Sequence, residues 1–329
     1  MTRFLLRRAA WACLTILAVA TLSFVLMRSV RGGPFDSERR ASAAVEQNLR
    51  ERYHLDWPLW KQFAAYIGPF ELGAHRAELL GGDGTDVFGG VLAGDLGPSL
   101  QYRDASVNDI LAQSLPISFA LGFLALSWAL VVGVGAGIAS ALRRGTKIDV
   151  ALRLAATTGI ALPNFAIAGF LVLLFAFVWP ILPVAGHGSW RHLVLPSLAL
   201  GAPFAAYIAR LTRSGMLESL GQDCIRTARA KGLPPRLVVL RHALRGGILP
   251  VVSYLGPAAA GVLTGSLVIE RVFAIPGTGS HFVNSALNRD YTLAMGVTIL
   301  YTALVCGLNL LVDVVYAALD PRIALEDES

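Results

Sequence analysis

The stretch Ile225-Arg226-Thr227-Ala228-Arg229-Ala230-Lys231-Gly232 lies in a basic loop between two long apolar segments of the 329-residue chain. Its first six residues are compatible with a helix. Gly232 can adopt the left-handed conformation that ends a helix, Leu233 can fold back onto it, and Pro234 prevents its continuation. A second helix is expected to begin at Pro235, because proline suits the first helical turn. The stretch therefore predicts two short helices joined by a fixed corner.

Two hypotheses account for the basic character of this corner. Arg226 and Arg229 share one helix face at i, i+3 spacing, and basic helices often lie on anionic lipid headgroups. Ala228 and Ala230, however, leave room for another backbone to approach closely. Because a lipid surface requires neither small residues nor a glycine stop, the pattern favours a rigid plug for a groove in a protein partner.

The regions around this loop are apolar and long enough to cross a membrane. The chain is 55% hydrophobic and only 15% charged, whereas soluble domains carry about a quarter charged residues. A membrane-crossing helix needs about 20 mostly apolar residues. Six stretches qualify: 9–27, 115–142, 151–178, 193–211, 248–268 and 293–319. Prolines interrupt the third and fourth, which is tolerated where neighbours satisfy the freed carbonyls. The expected fold is an all-α polytopic membrane protein.

Positive charges predict the orientation of the six spans. Arginine and lysine cluster before the first span, after the second and after the fourth, whereas the third and fifth loops hold only Arg191, Arg271 and Arg289. The positive-inside rule therefore places both termini in the cytoplasm. The first span resembles a signal peptide at Ala18-Val19-Ala20, but its apolar run is longer than a signal core, which favours a retained helix. The clustering of positive charge in short loops between apolar spans accounts for the net charge of +6, so this charge does not indicate a nucleic-acid partner.

The predicted organisation has two parts. Residues 1–114 comprise the first span and a large extracytoplasmic segment, with short helices expected near 45–53 and 58–67 and a Gly-rich insertion at about 69–93. Residues 115–329 form a five-helix core, with the cytoplasmic loop at 212–247.

The basic loop also carries a family resemblance. The residues from Arg226 to Leu233, followed by Arg241-His242-Ala243-Leu244-Arg245 and Leu249-Pro250, resemble the cytoplasmic loop of binding-protein-dependent ABC importer permeases. The general motif has an acid and two alanines before the glycine. Arg226 and Thr227 replace its first two residues, a variant common in the peptide and nickel branch. Outer segments such as 94–99, 269–279 and 282–291 also resemble this branch, and only the Gly-rich insertion has no counterpart.

The resemblance implies a fold, a function and partners. The fold would be the six-helix type I permease fold, in a subunit of the cytoplasmic membrane that translocates oligopeptides. The loop would be a coupling helix formed by residues that dock in an ATPase cleft: Arg226, Thr227, Ala228, Arg229, Ala230, Lys231 and Gly232. Implied partners are a second homologous permease subunit, two cytoplasmic ATPases that hold ATP and Mg, and an extracytoplasmic peptide-binding protein.

Three further sets of residues are candidate sites. Pro163 and Asn164 break the third span, where they would line the pathway or form an ordinary kink. In the segment from Glu270 to Gly279, the residues Pro276, Gly277 and Gly279 predict a non-helical path. Irregular backbone at membrane depth must face protein or water, which favours a re-entrant segment at an outer gate over a simple surface turn. Asn309 and Asp313 lie four residues apart on one helix face; a buried intramembrane carboxylate is a functional candidate, but a helix-packing role is favoured.

Other function classes find little support in the sequence. No Gly-x-x-x-x-Gly-Lys-Ser/Thr loop occurs, so ATP hydrolysis is expected on another polypeptide. A secondary transporter should carry ionisable residues near the bilayer centre, whereas Asp313 and Arg153 lie near predicted inner ends. No His-Glu-x-x-His motif occurs, and Cys13, Cys224 and Cys306 lack metal-ligand spacing. We therefore expect no catalytic site, metal or cofactor on this chain.

Overall fold

A computed structural model of the chain describes residues 2–29, 56–68, 90–102, 105–263 and 267–319. Over these residues the regular structure is helical, apart from one isolated bridge between Pro98 and Ser106. The all-α prediction is confirmed for this part of the chain. The helix predicted near 45–53 and most of the Gly-rich insertion lie outside the described residues.

The helices follow the apolar segments of the sequence and are numbered here in chain order. They are α1 Thr2–Ser29, α2 Leu59–Ile67, α3 Val107–Leu142, α4 Lys147–Ala161, α5 Asn164–Val172, α6 Arg191–Leu220, α7 Asp223–Ala230, α8 Pro235–Gly247, α9 Leu249–Leu263, α10 Leu267–Val272, α11 Thr278–Leu287 and α12 Tyr291–Leu319. A π-helical turn at Leu173–Val178 extends α5, and another lies within α8 at Val238–Ala243.

Four of these helices, α1, α3, α6 and α12, are each long and apolar enough to cross a membrane. Two bent pairs pass the same test together: α4 with α5 and its extension, bent by 110°, and α8 with α9, bent by 53°. The described residues therefore contain four candidate spans, or up to six if each bent pair counts as one. The break that the sequence predicts in the third span is present at Pro163, the residue that precedes α5.

Two helices extend well beyond the apolar stretches that predicted them. α3 begins at Val107, because Ser106 and Asp109 cap each other: the Ser106 N–H donates to Asp109 Oδ2 at 3.3 Å, and the Asp109 N–H donates to Ser106 Oγ at 3.1 Å. α6 continues to Leu220. The first nine residues of the predicted 212–247 loop are therefore helical.

The chain divides into two compact units. Unit 1 comprises Met1–Ile117 and Pro276–Cys306, and unit 2 comprises Ser118–Ile275 and Gly307–Ser329. In unit 1, Tyr66 of α2 packs against Phe24 of α1 and Met295 of α12. This contact holds the short helix α2, which the sequence predicts at 58–67, against two long helices.

A buried carboxylate organises a second part of unit 1. Asp290 is 1% exposed and precedes α12. Its Oδ1 accepts from the N–H of Leu293 at 3.2 Å and from the N–H of Leu100 at 3.1 Å, and its Oδ2 accepts from the Ser99 hydroxyl. Asp290 therefore caps α12 and fixes the chain that leads into α3.

In unit 2, α6 lies at the centre and packs against α4, α5, α8 and α9. Its crossing with α3 is close, because glycines occupy the contact. A Cβ on Gly133 would lie 2.7 Å from the Ala205 carbonyl oxygen, one on Gly137 2.7 Å from that of Ala209, and one on Gly201 2.5 Å from that of Ala125. Small residues allow such backbone approach between membrane helices.

Candidate functional site: the basic corner and its supports

The corner between α7 and α8 has the predicted local structure. Gly232 has φ +75°, and its N–H donates to the Arg229 carbonyl at 2.9 Å. The Leu233 N–H donates to the Ala228 carbonyl at 3.3 Å. These two bonds are those of a Schellman helix end. A Cβ on Gly232 would meet nothing within 4 Å, so the backbone conformation, and not space, requires glycine here.

The two faces of α7 have different environments. Ile225 is 0% exposed and Ala228 4% exposed; both pack in a cluster with Met216 of α6 and Val238 of α8. The prediction that Ala228 belongs to an open small-residue face is wrong. Ala228 lies three residues after Ile225, so it shares the face turned toward the chain's own core.

The exposed face of α7 and the corner carries the remaining residues of the predicted docking surface. These residues, all exposed, are Arg226, Thr227, Arg229, Ala230, Lys231 and Gly232. Arg226 Nη1 lies 3.3 Å from Asp223 Oδ1, with both side chains largely exposed. Exposed pairs of this kind contribute little to stability. The surface therefore combines positive charge with two positions that carry little or no side chain.

A close backbone contact between α6 and the end of α8 helps to hold the corner in place. A Cβ on Gly215 of α6 would lie 2.4 Å from the carbonyl oxygen of Gly247, and one on Gly247 would lie 2.9 Å from Met216 Sδ. The two backbones touch at this point. The end of α8 is thus fixed against α6. Along the chain, the corner lies between the end of α6 at Leu220 and this contact at Gly247.

Unit 2 also contains a charged cluster around Asp149, which the sequence did not predict. Asp149, in the first turn of α4, is 1% exposed. It accepts from Arg213 Nε at 2.8 Å and from Arg213 Nη2 at 3.0 Å. Ser140 Oγ donates to it at 2.6 Å, and the Gly145 N–H donates at 3.0 Å. The carboxylate therefore connects the end of α3, the following turn, α4 and α6.

Only a weak sequence signal pointed to this cluster. Asp149 follows Thr146 by three residues, which is the spacing of a helix cap, and Thr146 Oγ1 does accept from the Asp149 N–H at 3.4 Å. The pairing with Arg213 spans 64 residues, so no local pattern reveals it. Burial of a carboxylate is stabilising only when partners of this kind satisfy it.

The predicted residues of the pathway break and the first part of the outer gate lie in unit 2. Pro163 is exposed and caps α5, whose first residue is Asn164. Glu270 of α10 is 0% exposed and accepts from Ser118 Oγ at 2.8 Å in unit 2. After α10, the Ile275 N–H donates to the Glu270 carbonyl at 2.8 Å, and Ala274 has φ +50°.

The predicted outer-gate residues Pro276, Gly277 and Gly279 belong to unit 1. Pro276 is exposed, and the two glycines are buried. Gly279 is the second residue of α11, which begins at Thr278. The prediction of a non-helical path through Gly279 is therefore wrong, and the irregular backbone ends at Gly277, the residue that caps the helix.

The predicted packing pair lies in the second half of α12. Asn309 is exposed in the isolated chain. The side chain of Asp313 lies outside the described residues. The helix-packing role of this pair stays a prediction.

Comparison with known proteins assigns this architecture to a family. Residues 133–325, more than half of the chain, match the family described as binding-protein-dependent transport system inner membrane component. The chain belongs to this family. The matched region begins within α3 and includes both the basic corner and the Asp149 cluster.

Relatives extend the similarity to nearly the full length. The oligopeptide transport system permease protein OppB of Escherichia coli (strain K12) is 43% identical over 325 residues, covering 98% of this chain and 99% of that protein. The dipeptide transport system permease protein DppB of Bacillus subtilis (strain 168) is 42% identical over 325 residues, covering 99% of each. The predicted resemblance to ABC importer permeases is confirmed.

A solved structure supports the fold. The chain is similar to one in the inward-facing MetNI methionine ABC transporter, with a TM-score of 0.54 over 64% of this chain and 96% of that chain. The sequence identity is 18%, so this likeness concerns the fold alone. It agrees with the type I ABC permease fold that the resemblance predicted.

Proposed function

We propose that this chain is a permease subunit of an ATP-driven ABC importer that moves oligopeptides across the cytoplasmic membrane. The observation that carries the proposal is the 43% identity to an oligopeptide permease over 98% of this chain and 99% of the relative. Similarity at this level includes the outer segment and the helices, as well as the cytoplasmic loop. The 42% identity to a dipeptide permease favours dipeptides as a second substrate class.

The proposed topology has six spans, with α4 and α5 forming one bent span and α9, which follows the cytoplasmic helix α8, beginning another. Both termini and the basic corner lie in the cytoplasm in this topology. The concentration of positive charge in the turn after α3 and in the residues from Arg210 to Arg245 supports this orientation. The segment between α1 and α3 then faces the outside, where a binding protein delivers the peptide.

The corner is proposed to transmit the motion of an ATPase. Its exposed residues Arg226, Arg229 and Lys231 are suited to carboxylates around a cleft. Its buried residues Ile225 and Ala228 pack on the end of α6. A displacement of α7 by the ATPase would therefore also displace α6, the central helix of unit 2. ATP and Mg belong to two partner ATPases, and a second homologous permease subunit completes the pathway.

Peptide uptake tests the substrate class. A strain that lacks this chain is supplied with the wild-type gene or an empty vector, and the uptake of a labelled dipeptide, a labelled pentapeptide and Ni²⁺ is measured. The wild-type gene is expected to restore peptide uptake and leave Ni²⁺ uptake unchanged. Restoration of Ni²⁺ uptake alone would overturn the peptide proposal, and restoration of dipeptide uptake alone would select the second substrate class.

A further inference from the structure

Unit 1 contains a groove whose lining residues belong neither to the basic corner nor to the predicted pathway. The last two turns of α1 and the helix α2 line this open groove of about 260 Å³. Its lining is mostly apolar and consists of Thr21, Phe24, Val25, Arg28, Ser29, Leu59, Trp60 and Phe63. The groove has room for part of an acyl chain.

Arg28, which lines this groove, has no counter-charge among the residues that the structure describes. Arg28 Nε is buried and has no hydrogen-bond partner. The guanidinium carbon lies 5.5 Å from the ring centre of Phe24 and 5.4 Å from that of Tyr291. None of the ion pairs formed among the described residues includes Arg28. A partly buried charge with unused donors is costly unless an anion meets it.

The polar neighbours in the groove do not supply that anion. The Thr21 hydroxyl donates to the Leu17 carbonyl at 2.8 Å, and the Ser29 hydroxyl donates to the Val25 carbonyl at 2.7 Å. Both hydroxyls are therefore used within α1. The ring contacts of Arg28 are weakly favourable, and they leave the Nε–H without a hydrogen-bond acceptor. The groove thus combines an apolar wall with an unsatisfied, fork-shaped cation at its end.

We propose that this groove binds an anionic phospholipid, with the phosphate on Arg28 and an acyl chain along Phe24, Val25 and Phe63. A guanidinium matches phosphate through paired hydrogen bonds. Arg28 lies in the last turn of a helix apolar enough to cross a membrane, so its position corresponds to the headgroup level. The net negative charge of the lipid would compensate the cation, which a zwitterionic headgroup does less well.

The helix α2 supports a lipid as the occupant. Leu59 is 58% and Trp60 66% exposed beside the groove. Lys61 Nζ lies 3.7 Å from the ring centre of Trp57, which precedes α2 by two residues. Tryptophan and lysine next to exposed apolar residues are typical of a helix lying in the membrane interface. Such a helix would form the second wall of a lipid site.

Native mass spectrometry of the full complex tests this site. The complex is purified in mild detergent and titrated with phosphatidylglycerol or phosphatidylethanolamine. Wild-type complex is expected to retain phosphatidylglycerol in preference, and Arg28→Gln to lose that preference by about tenfold, which is the value of one charge-assisted contact. Arg28→Lys keeps the charge but loses the fork, so an intermediate preference is expected.

A matched pair of variants tests the groove without changing its charge. Val25 and Leu22 are 52% and 59% exposed on the same helix, but only Val25 lines the groove. Val25→Trp should reduce retention of both lipids, whereas Leu22→Trp should retain them as wild type does. If Arg28→Gln does not assemble into the complex, the comparison of Val25→Trp with Leu22→Trp still tests whether the groove binds lipid.

Three outcomes would overturn the proposal. The first is equal retention of the two lipids by the wild-type complex. The second is unchanged lipid retention in both Arg28→Gln and Val25→Trp. The third is displacement of phosphatidylglycerol by millimolar inorganic phosphate, which would assign Arg28 to a free anion.

Discussion

Gly232 offers a sharp test of the corner, because the structure separates conformation from space. Its φ is +75°, and an added Cβ would meet nothing within 4 Å. Gly94 provides a matched control in unit 1, with φ +77° and equally open surroundings. Substitution of either glycine by alanine therefore introduces the same kind of backbone strain and no clash.

The size of the effect follows from that strain. The left-handed conformation costs an L-residue about 1–2 kcal/mol, and less for asparagine. A loop that carries Gly232→Ala can relax while it is free, but must recover the corner when it docks. The cost of restoring the left-handed conformation then reduces the free energy of association with the ATPases. A loss of about 1–2 kcal/mol corresponds to a 5- to 30-fold weaker association. Gly232→Asn should lose less than Gly232→Ala, and the β-branched Gly232→Val should lose more.

The assay measures association of the ATPase subunits with the permease in detergent. Titration of the purified ATPases against tagged permease gives an apparent Kd for each variant, and membrane insertion is scored separately. Gly94→Ala should insert and bind the ATPases like wild type. Binding as tight as that of wild type by both Gly232→Ala and Gly232→Val would refute a docking role for the corner. Equal weakening by Gly94→Ala and Gly232→Ala would refute it too.

Three further predictions concern Gly215, Asp149 and His281, a partly buried residue of α11. Gly215→Ala places a Cβ 2.4 Å from the Gly247 carbonyl oxygen, and such overpacking costs about 1–3 kcal/mol, so the melting temperature of the purified complex should fall. Asp149→Asn leaves the partner Arg213 without its charge partner and should also lower the melting temperature; adding Arg213→Gln should cost less than the sum of the single variants. Burial lowers the pKa of His281 from its ordinary value of 6.5, so the folded state binds fewer protons than the unfolded state just below that value. Stability should therefore fall as the pH drops through 6.5, and His281→Gln should flatten this dependence.

Each of these predictions has a control. Gly169→Ala adds a Cβ where nothing lies within 4 Å, and its melting temperature should match wild type; a loss equal to that of Gly215→Ala would contradict the contact argument. Strict additivity of the Asp149 and Arg213 variants would show that the two side chains do not interact. An unchanged pH dependence in His281→Gln would assign the effect to another group.

The corner could be predicted from sequence because its causes are local. A glycine followed by a leucine and two prolines determines how one helix ends and the next begins. The burial of Ala228 could not be predicted in the same way, since it depends on α3, α6 and α8 meeting around α7. Hydropathy also identified the membrane helices but not their full length. It registers only the apolar part of α6, whereas the polar continuation to Leu220 is held by packing.

The charged cluster around Asp149 could not be predicted from sequence either, because its two main residues are far apart in the chain. A carboxylate near the start of an apolar stretch is ordinary in a membrane protein, and Arg213 is one of many basic residues that follow the fourth apolar stretch. Their pairing requires α4 and α6 to lie side by side, which is a property of the fold. The 110° bend between α4 and α5 was likewise visible only as a proline.

The glycine contact between α3 and α6 has a practical consequence for measuring the transport cycle. At Gly133, Gly137 and Gly201 the two backbones lie so close that neither helix can slide along the other without opening the contact. Spin labels placed on these two helices should therefore keep one separation in every nucleotide state. The distance between labels on α3 and α6 would then be a constant reference, and displacements of labels on α5 or α7 can be measured relative to it.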